Sequence, residues 1–471
     1  MTEFHSNVFP ERAAPLDFLP RGDAPTGELG GKLLARESDL HRIIVVGGGA
    51  GGLELVTRLG NTLGRRGQAE IFLADKYLHH LWKPLLHEVA AGTLRLEDNE
   101  VTYLGQARAH HFRFRFGTME GMDRTRREIY LAPTLDEDGN EVSPRRIIPY
   151  DTLVLAVGSV TNDFGIPGVK EYAWPLNEPR DARRFHRRLL AASVHCQILD
   201  GQEPLDIVIV GAGATGVELA AELHQTVREF VSYGLDKIDP GRIRITLVSS
   251  TPRILPGLPE ALSAAVHAKL ASLGIEILCN ERVVKIEKDA VLTASGKRLP
   301  ALVTVWAGGI KAPDFLAHLG LETNRMNQLV VDATLRTGQD EHIYALGDCA
   351  AAPWLGREPG TLVPPRAQAA HQQATLLAKS LQRQLTARKP ALEFQYRDFG
   401  SLVSLGRYEV LGNLMGKVGG RGMMVHGLFA RFMYWFLYQK HLMVLNGVSR
   451  VFLSLLARMI ARSTQPRVKL H

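Results

Sequence analysis

Cysteine is scarce in this sequence. The 471 residues include only Cys196, Cys279 and Cys349, and no two of them stand in a CxxC or CxxxxC spacing. Disulfide scaffolds, structural zinc sites and redox-active dithiols all need cysteines that pair or cluster. The sequence therefore argues against these three kinds of site. It predicts a protein of a reducing compartment without a bound metal.

Acidic residues are missing from the end of the chain. No Asp or Glu follows Glu409, whereas residues 410–471 contain nine Lys and Arg. The whole chain carries a net charge of +7, so the part before this segment sums to −2. Such a basic segment favours an anionic partner. We predict no nucleic-acid partner, because the rest of the chain is acidic and the aromatic residues of the segment do not interleave with glycine.

Long apolar runs are also missing. Phe432–Gln439 is an uncharged stretch of eight residues, whereas a membrane-spanning helix needs about 20. We instead predict two amphipathic segments, about 427–445 and 448–462, separated by Asn446-Gly447. Basic, aromatic helices of this type lie in the membrane interface. Residues 426–471 are therefore predicted to bind an anionic membrane surface, and a homodimer contact through the same face is an alternative that can coexist with it.

The N-terminus shows no targeting pattern. Residues 1–40 lack a basic stretch followed by an apolar one, and they contain Glu3, Glu11, Asp17 and Asp23. These features argue against a secretory signal and against a transit peptide. We expect residues 1–40 to form a loose extension.

Two glycine-rich turns dominate what is present. "VVGGGAGGLELVTR" at 45–58 and "IVGAGATGVELAAE" at 209–222 each follow a short apolar run and precede a helix-forming stretch. Both fit G-x-G-x-x-G, through Gly47, Gly49 and Gly52 and then through Gly211, Gly213 and Gly216. In dinucleotide-binding units the first glycine makes the turn, the second admits the pyrophosphate and the third lets the helix pack closely. Two such turns in strand–turn–helix context predict two dinucleotide sites.

Apolar strands alternate with helices, which predicts parallel sheets. The second unit lies inside the first, between residues 158 and 342. The predicted fold class is α/β, with two nested Rossmann-like dinucleotide-binding domains and a C-terminal amphipathic membrane-binding segment. The predicted domains are the extension 1–40, a first domain in two parts at 41–200 and 313–400, a second domain at 201–312, and a membrane-anchoring region at 401–471.

The residue that ends the second strand of each unit usually decides ribose recognition, because a carboxylate there binds the ribose diol. Asp75 fits this role in the first unit. The matching position in the second unit is Ser249, which neither binds the diol as a carboxylate does nor repels a 2′-phosphate. Ser249, Ser250 and Arg253 can therefore admit NADPH, and the alternative is that Arg253 only covers the sheet edge while other groups select NADH.

Several further motifs identify a family. They are "HLWKPLLHEVAAGTL" (80–94), "VWAGGIKAPDFL" (305–316), "IYALGDCA" (343–350), "VPPRAQAAHQQA" (363–374), "GSLVSLG" (400–406) and the ending "PRVKLH". With the two turns they resemble the type II NADH:quinone oxidoreductases, the single-subunit, non-proton-pumping NADH dehydrogenases of the pyridine-nucleotide flavoprotein superfamily. The resemblance covers residues 41–471. Ser249 departs from it, since the family usually has Glu there.

The resemblance implies non-covalent FAD in the first unit and NADH, or NADPH, in the second, with a membrane quinone as acceptor. Implied cofactor-binding residues are Gly47, Gly49, Gly52, Asp75, Lys83, Pro84, Leu85, Gly158, Asp348, Cys349 and Ala350 for FAD, and Gly211, Gly213, Gly216, Ser249, Arg253, Ala307 and Gly309 for the nucleotide. Implied catalytic residues are Glu218, Gln368 and Gln372. Glu218 is a candidate for proton handling or nicotinamide contact, and the alternative is an exposed glutamate favoured by the helix dipole. Gln368 and Gln372 share a helix face and can bind quinone carbonyls, and the alternative is a helix that only packs under the flavin.

The expected place of action is the cytoplasmic face of the inner membrane, with the protein bound peripherally. Two other functions stay open. One is a soluble NAD(P)H-dependent reductase of another acceptor, which the basic, apolar tail disfavours. The other is a redox-sensing flavoprotein whose nucleotide binding controls a partner. A sulfide:quinone oxidoreductase would need paired catalytic cysteines, which the sequence lacks.

Overall fold

The computed structural model describes residues 31–34, 36, 38–80, 82–94, 100–136, 138–198, 204–233, 237, 240–415 and 422–461. Most of the predicted extension over 1–40 lies outside the described residues, and so do Lys417, Arg421 and residues 462–471. The predictions that fall on these residues are therefore not addressed by the structure.

The described residues form ten α-helices. They are α1 Ala50–Leu59, α2 Leu86–Ala91, α3 Tyr103–Ala109, α4 Val169–Tyr172, α5 Pro179–Ile198, α6 Ala214–Ser232, α7 Glu260–Ser272, α8 Ala367–Ala387, α9 Gly427–Asn446 and α10 Val448–Ala461. The two predicted C-terminal segments are helical and correspond to α9 and α10. Gly447, with φ +78°, separates them.

The first sheet is parallel and has five strands. Their spatial order is Ile343–Ala345, Thr152–Leu155, His41–Val46, Ala69–Asp75 and Arg113–Phe116. Four of the strands consist mostly of buried apolar residues, as expected for a parallel sheet that is covered on both faces. The edge strand Arg113–Phe116 instead alternates arginine with phenylalanine. Helices α1 and α8 pack against each other beside this sheet, although more than 300 residues separate them in sequence.

The second sheet is also parallel and lies within the first unit in sequence. Its spatial order is Ala173–Pro175, Val303–Trp306, Leu205–Val210, Ile243–Val248 and Glu276–Leu278. The nested arrangement therefore matches the sequence pattern. However, the strand Ala173–Pro175 and α5 already pack with this sheet, so its elements begin before residue 201, where we placed the boundary.

Smaller sheets surround these two. One has the strand order Lys32–Leu33, Arg146–Pro149, Glu128–Leu131 and Met119–Asp123, and another has Val283–Ile286, Ala290–Thr293 and Arg298–Pro300. Two-stranded pairs are Thr134–Leu135 with Glu141–Ser143, Val160–Thr161 with Ile310–Lys311, Leu329–Val330 with Ala350–Ala351, and His79–His80 with Val101–Thr102.

A third sheet precedes the C-terminal helices. Its antiparallel strands are Gly400–Ser404, Val410–Met415 and Gly422–His426. We predicted the whole of 401–471 as a membrane-anchoring region, so this sheet was missed. Helix α9 packs on the sheet and on α1, and its Leu445 is buried in the core of the first sheet. The C-terminal helices are thus joined to the body that carries the first turn.

Candidate functional site

The first glycine-rich turn joins the strand His41–Val46 to α1 and forms a phosphate cradle. Gly47 has φ +101°, and a Cβ there would lie 2.4 Å from the Ala156 carbonyl oxygen. A Cβ on Gly52 would lie 1.8 Å from the Gly47 carbonyl oxygen, so only glycine lets α1 pack this closely. In the described chain no atom lies within 4 Å of the Cβ position of Gly49. This leaves room for an anion at the helix N-terminus.

The second turn repeats this geometry between the strand Leu205–Val210 and α6. Gly211 has φ +110°, and its Cβ would lie 2.3 Å from the Ala307 carbonyl oxygen. A Cβ on Gly216 would lie 1.9 Å from the Gly211 carbonyl oxygen, whereas around Gly213 the described residues leave 4 Å of open space. Gly309, with φ +155°, follows Ala307 and packs on Phe164. Both turns therefore keep the ligand-facing side of the middle glycine open.

Asp75 ends the strand Ala69–Asp75 and ties it to the first turn. Its Oδ2 accepts a hydrogen bond from the Gly48 N–H at 2.6 Å, and its Oδ1 accepts one from the Tyr77 N–H at 2.8 Å. Burial raises the pKa of Asp75, while these two donors oppose the shift. Each oxygen keeps a further lone pair. The carboxylate therefore fits a ribose hydroxyl at the expected place.

Lys83, Gly158 and Asp348 come from three chain segments and meet beside the first turn. Lys83 Nζ donates to the Ser159 carbonyl oxygen at 3.1 Å, and Ser159 Oγ donates to Asp348 Oδ2 at 2.8 Å. A Cβ on Gly158, which has φ +71°, would lie 4.0 Å from Lys83 Nζ. Desolvation lowers the pKa of Lys83, and the Asp348 carboxylate opposes this shift. A cation and an anion held together here fit the polar groups of a flavin and its side chain.

The other predicted flavin contacts lie in the same region. Pro84 is exposed and Leu85 is buried, in a single 3₁₀ turn that leads into α2. The Cys349 thiol is buried and donates to the Leu155 carbonyl oxygen at 3.4 Å, and burial raises its pKa to about 11. A thiol that stays protonated is not a nucleophile. Cys349 and the buried Ala350 therefore serve as small packing residues.

Glu218 is buried, which excludes the exposed helix-start glutamate of the alternative interpretation. Its Oε1 accepts a hydrogen bond from the Ser404 N–H at 2.9 Å. Burial, with repulsion from Glu88 and Glu222, raises the pKa of Glu218 to about 8. Burial likewise raises the pKa of Glu88 to about 8 and that of Glu222 to about 6. Tyr434 of α9 faces this carboxyl cluster, and the three carboxylates add to the burial that raises its pKa.

Gln368 and Gln372 share one face of α8, as predicted, but both amides bind protein backbone. Gln372 donates from Nε2 to the Arg397 carbonyl oxygen at 2.8 Å and accepts from the Arg397 N–H at 3.0 Å. Gln368 donates to the Gly400 carbonyl oxygen at 3.1 Å and accepts from the Phe399 N–H at 3.2 Å. The two amides therefore hold the segment that leads into the third sheet, and their contact with quinone stays a prediction.

Comparisons with known proteins agree with this geometry. The family model for pyridine nucleotide-disulphide oxidoreductases matches residues 41–374. A type II NADH:quinone oxidoreductase of Haemophilus influenzae is 40% identical over 448 residues, which is 92% of this chain and 100% of the relative. The chain belongs to the type II NADH:quinone oxidoreductase family. A family member from Staphylococcus aureus is 30% identical over 390 residues, 80% of this chain and 91% of the relative.

Two solved structures illustrate the shared fold. The NDH2 of Plasmodium falciparum, determined with NADH, has a TM-score of 0.75 at 20% identity and covers 91% of this chain and 100% of its own. The sulfide:quinone oxidoreductase of Aquifex aeolicus has a TM-score of 0.67 at 19% identity, covering 86% and 92%. These likenesses confirm the nested α/β fold.

Sequence reasoning missed part of the carboxyl cluster of this type II oxidoreductase. Glu222 stands four residues after Glu218 on α6, and this spacing was a usable signal. Glu88 lies on α2, which packs on α6, and Tyr434 of α9 faces the carboxylates. A single sequence gives no sign of either arrangement.

Ser249, at the end of the second strand of the second dinucleotide unit, begins a turn whose side chains form hydrogen bonds within the turn. Ser249 Oγ and Thr251 Oγ1 are hydrogen-bonded at 2.8 Å. The Arg253 guanidinium donates to the carbonyl oxygens of Leu255, at 3.1 Å, and Pro256, at 2.8 Å. Arg253 is thus engaged within its own turn. This arrangement neither attracts nor repels a 2′-phosphate strongly.

Ser249→Glu is expected to lower kcat/KM for NADPH by about tenfold or more, because a carboxylate there repels the 2′-phosphate. Activity with NADH should be kept or improved. The measurement is kcat/KM for both nucleotides, with Ser272→Glu at the exposed end of α7 as control. An unchanged ratio of the two values would show that Ser249 does not face the nucleotide ribose.

Proposed function

We propose that this chain works at an anionic membrane surface, where it transfers electrons from NADH through FAD to a membrane quinone. The enzyme class, the use of FAD and NADH, and electron transfer to a quinone follow from family membership. The proposed membrane binding is supported by a row of exposed apolar side chains on α9 and α10. We place the enzyme peripherally on the cytoplasmic face, because NADH is found there.

The apolar row occupies the outer side of both C-terminal helices. Its members are Leu428, Phe429, Phe432, Trp435, Phe436, Leu437, Val448, Phe452, Leu453 and Leu456. Arg431 and Lys440 are exposed beside it. None of the described helices is both long and apolar enough to cross a bilayer. Large apolar side chains flanked by cations suit a helix pair that lies in the headgroup region.

The site residues divide into two binding functions. The open space at Gly49 and the carboxylate of Asp75 would hold the pyrophosphate and ribose of FAD, with Lys83 and Asp348 along the flavin. When bound, FAD accepts a hydride from the nicotinamide and passes two electrons to the acceptor. The second turn, through Gly213, would hold NADH against it.

Quinone reduction also needs a proton from the protein side. The balanced reaction is NADH plus a proton plus quinone, giving NAD⁺ and hydroquinone, so one proton beyond the hydride must arrive. Glu218 is the group we assign to this transfer, because its carboxyl is protonated at neutral pH and lies against α2 and α9. Gln368 and Gln372 would border the quinone site through the segment that they hold.

Membrane binding is expected to depend on the apolar row. Replacing Leu428, Phe432, Phe452 and Leu453 together by Glu should lower binding to phosphatidylglycerol vesicles by about 100-fold or more, since each loses apolar burial and gains repulsion. Flotation of FAD-loaded protein measures this. Leu104→Glu with Val142→Glu, at exposed apolar positions outside these helices, is the matched control.

Equal flotation of the quadruple variant and the wild type would reject the membrane face. A variant that floats normally but sediments as a smaller particle would show that the row is instead a homodimer contact. Rapid NADH oxidation with soluble acceptors and none with vesicle-borne quinone would favour a soluble reductase. Tight nucleotide binding without turnover of either acceptor would favour a redox sensor.

A further inference from the structure

Three histidine rings meet around one tryptophan where α8 and α9 approach the flavin cleft. The Trp82 ring centroid lies 4.3 Å from that of His441 and 5.4 Å from that of His371, and the His371 and His441 centroids are 5.0 Å apart. His80 also contacts His441. Among the described residues no group of three His, Cys, Asp or Glu side chains is arranged to hold a metal ion. The cluster therefore needs another explanation.

Hydrogen bonds fix the protons of the His80–His441 pair. His80 Nδ1 lies 2.8 Å from the Gly48 carbonyl oxygen, which can only accept, so Nδ1 carries the proton. The neutral His80 ring then has a lone pair on Nε2, which lies 2.8 Å from His441 Nε2. His441 Nε2 must donate. In the neutral pair the second nitrogen of His441, Nδ1, is left with a lone pair.

This lone pair is buried without a partner. His441 is 2% exposed, and Nδ1 has no hydrogen-bond partner among the described residues. Burial lowers the pKa of His80 to about 4 and lowers that of His441 well below its ordinary value, so both rings are neutral at pH 7. Buried polar atoms are normally satisfied, and an exception calls for a reason such as a ligand.

The position of the cluster suggests which ligand. Trp82 directly precedes Lys83, which binds beside Asp348 in the flavin cleft. His371 lies on α8 between Gln368 and Gln372. His441 lies on the inner side of α9, whose outer side carries the apolar row. A lipid-soluble substrate that enters from the apolar row toward the flavin cleft would meet these elements on its way.

Tyr434 gives independent support from the same helix. It precedes His441 by seven residues, which places both on one face of α9, two turns apart. Its hydroxyl is also buried and has no hydrogen-bond partner within the described part of the chain. The inner face of α9 thus presents one hydroxyl and one imidazole lone pair that the described protein does not use.

We propose that His441 Nδ1 contacts the quinone headgroup and accepts the hydrogen bond of a hydroquinone hydroxyl. The proposal rests on the proposed function. Reduction by NADH turns each carbonyl oxygen of the quinone, an acceptor, into a hydroxyl, a donor. A bare lone pair matches the hydroxyl and not the carbonyl. His441 therefore favours the reduced ring over the oxidised ring in the site.

Two substitutions distinguish a contact of His441 Nδ1 with hydroquinone from the hydrogen bond between His441 and His80. In His441→Gln the amide Nε2 can still donate to His80, but the group at Nδ1 is gone. In His441→Asn the amide reproduces the Nδ1 position, but the bond to His80 is lost. His426→Gln, at the exposed start of α9, is the matched control.

The experiment measures binding of a short-chain hydroquinone and its quinone to FAD-loaded, detergent-solubilised protein without oxygen, by calorimetry. We expect His441→Gln to weaken hydroquinone binding about tenfold, with quinone binding and the melting temperature unchanged. His441→Asn should keep hydroquinone binding and melt at a lower temperature. Wild-type hydroquinone affinity in His441→Gln, or equal weakening of both ligands, would overturn the proposal.

Wild-type turnover is measured in parallel, so that a failure of the proposed function can be distinguished from a failure of the His441 contact. If the wild type oxidises NADH with the same quinone and His441→Gln binds hydroquinone normally, only the role of His441 fails. If the wild type does not reduce the quinone at all, the proposed function fails, and the His441 contact fails with it.

Discussion

Gly213→Val is expected to raise the Kd for NADH by about 100-fold or more while FAD stays bound. The backbone at Gly213 has φ −74° and ψ −175°, an extended conformation that valine adopts without strain. Because the described chain leaves 4 Å of open space there, the side chain disturbs no protein contact. It instead fills the space in which the pyrophosphate would meet the N-terminus of α6. Loss of two hydrogen bonds to a charged group accounts for an effect of about this size.

Gly49→Val tests the first turn in the same way and should give the opposite pattern. Its backbone, at φ −66° and ψ −169°, is also extended, and its surroundings are also open. This variant should fold and bind NADH but lose FAD. Flavin absorbance after gel filtration and NADH titration by calorimetry measure the two effects. Gly338→Val, in an open loop, is the control.

Loss of NADH binding in one variant and loss of FAD in the other would identify which turn binds which ligand. If Gly213→Val loses FAD and Gly49→Val does not, the assignment of the two turns is reversed. If either variant binds both ligands as the wild type does, that turn does not hold a pyrophosphate.

The sequence predicted the strands, the glycine-rich turns and the helix break, because each depends on residues that are close together in the chain. The predicted strands of the two large sheets are mostly apolar and rich in β-branched residues, and burying such runs in a parallel sheet removes them from water. Each glycine triplet limits its turn to one geometry, because a Cβ at the first or third position would collide with backbone. The break between α9 and α10 was visible at Asn446-Gly447 because glycine readily adopts a positive φ, which is +78° at Gly447.

Long-range contacts were not predictable from one sequence. His80 and His441 are 361 residues apart, and their bond depends on how α9 docks against α1 and the first sheet. The carboxyl cluster likewise depends on the meeting of α2, α6 and α9. The third sheet was missed because Gly400–Ser404 and Gly422–His426 are only five residues long and each begins with a glycine, so they carry little strand signal.

Glu218→Gln is expected to lower quinone turnover at pH 7 by about 100-fold, the effect of losing a positioned proton donor. Burial raises the pKa of Glu218 to about 8, so its carboxyl holds a proton at pH 7. Wild-type quinone turnover should therefore fall as the pH rises through about 8, and the variant should lose this dependence. Reduction of the flavin by NADH should continue in the variant, because the hydride step needs no proton from this carboxyl.

The raised pKa of Glu218 also predicts how folding stability changes with pH. The folded-state pKa of about 8 lies above the ordinary glutamate pKa of 4.5 in an unfolded chain, so between these values the folded state binds more protons than the unfolded state. Folding stability therefore falls as the pH rises across this window, and the cost is fully present above pH 8. Glutamine cannot ionise and can still accept from the Ser404 N–H. At pH 8 the variant should be more stable than the wild type by on the order of 4 kcal/mol.

Two measurements taken together decide the role of Glu218. Urea unfolding at pH 5 and pH 8 gives the stability difference, and stopped-flow flavin reduction and reoxidation give the two half-reactions. Glu260→Gln, at an exposed first-turn position of α7, is the control and should change neither. If the Glu218→Gln variant is more stable and its flavin is reoxidised at the normal rate, Glu218 is a buried acid that does not take part in catalysis. A variant with slow reoxidation and no pH dependence would show that the acid which destabilises the fold above pH 8 is the acid that delivers the proton.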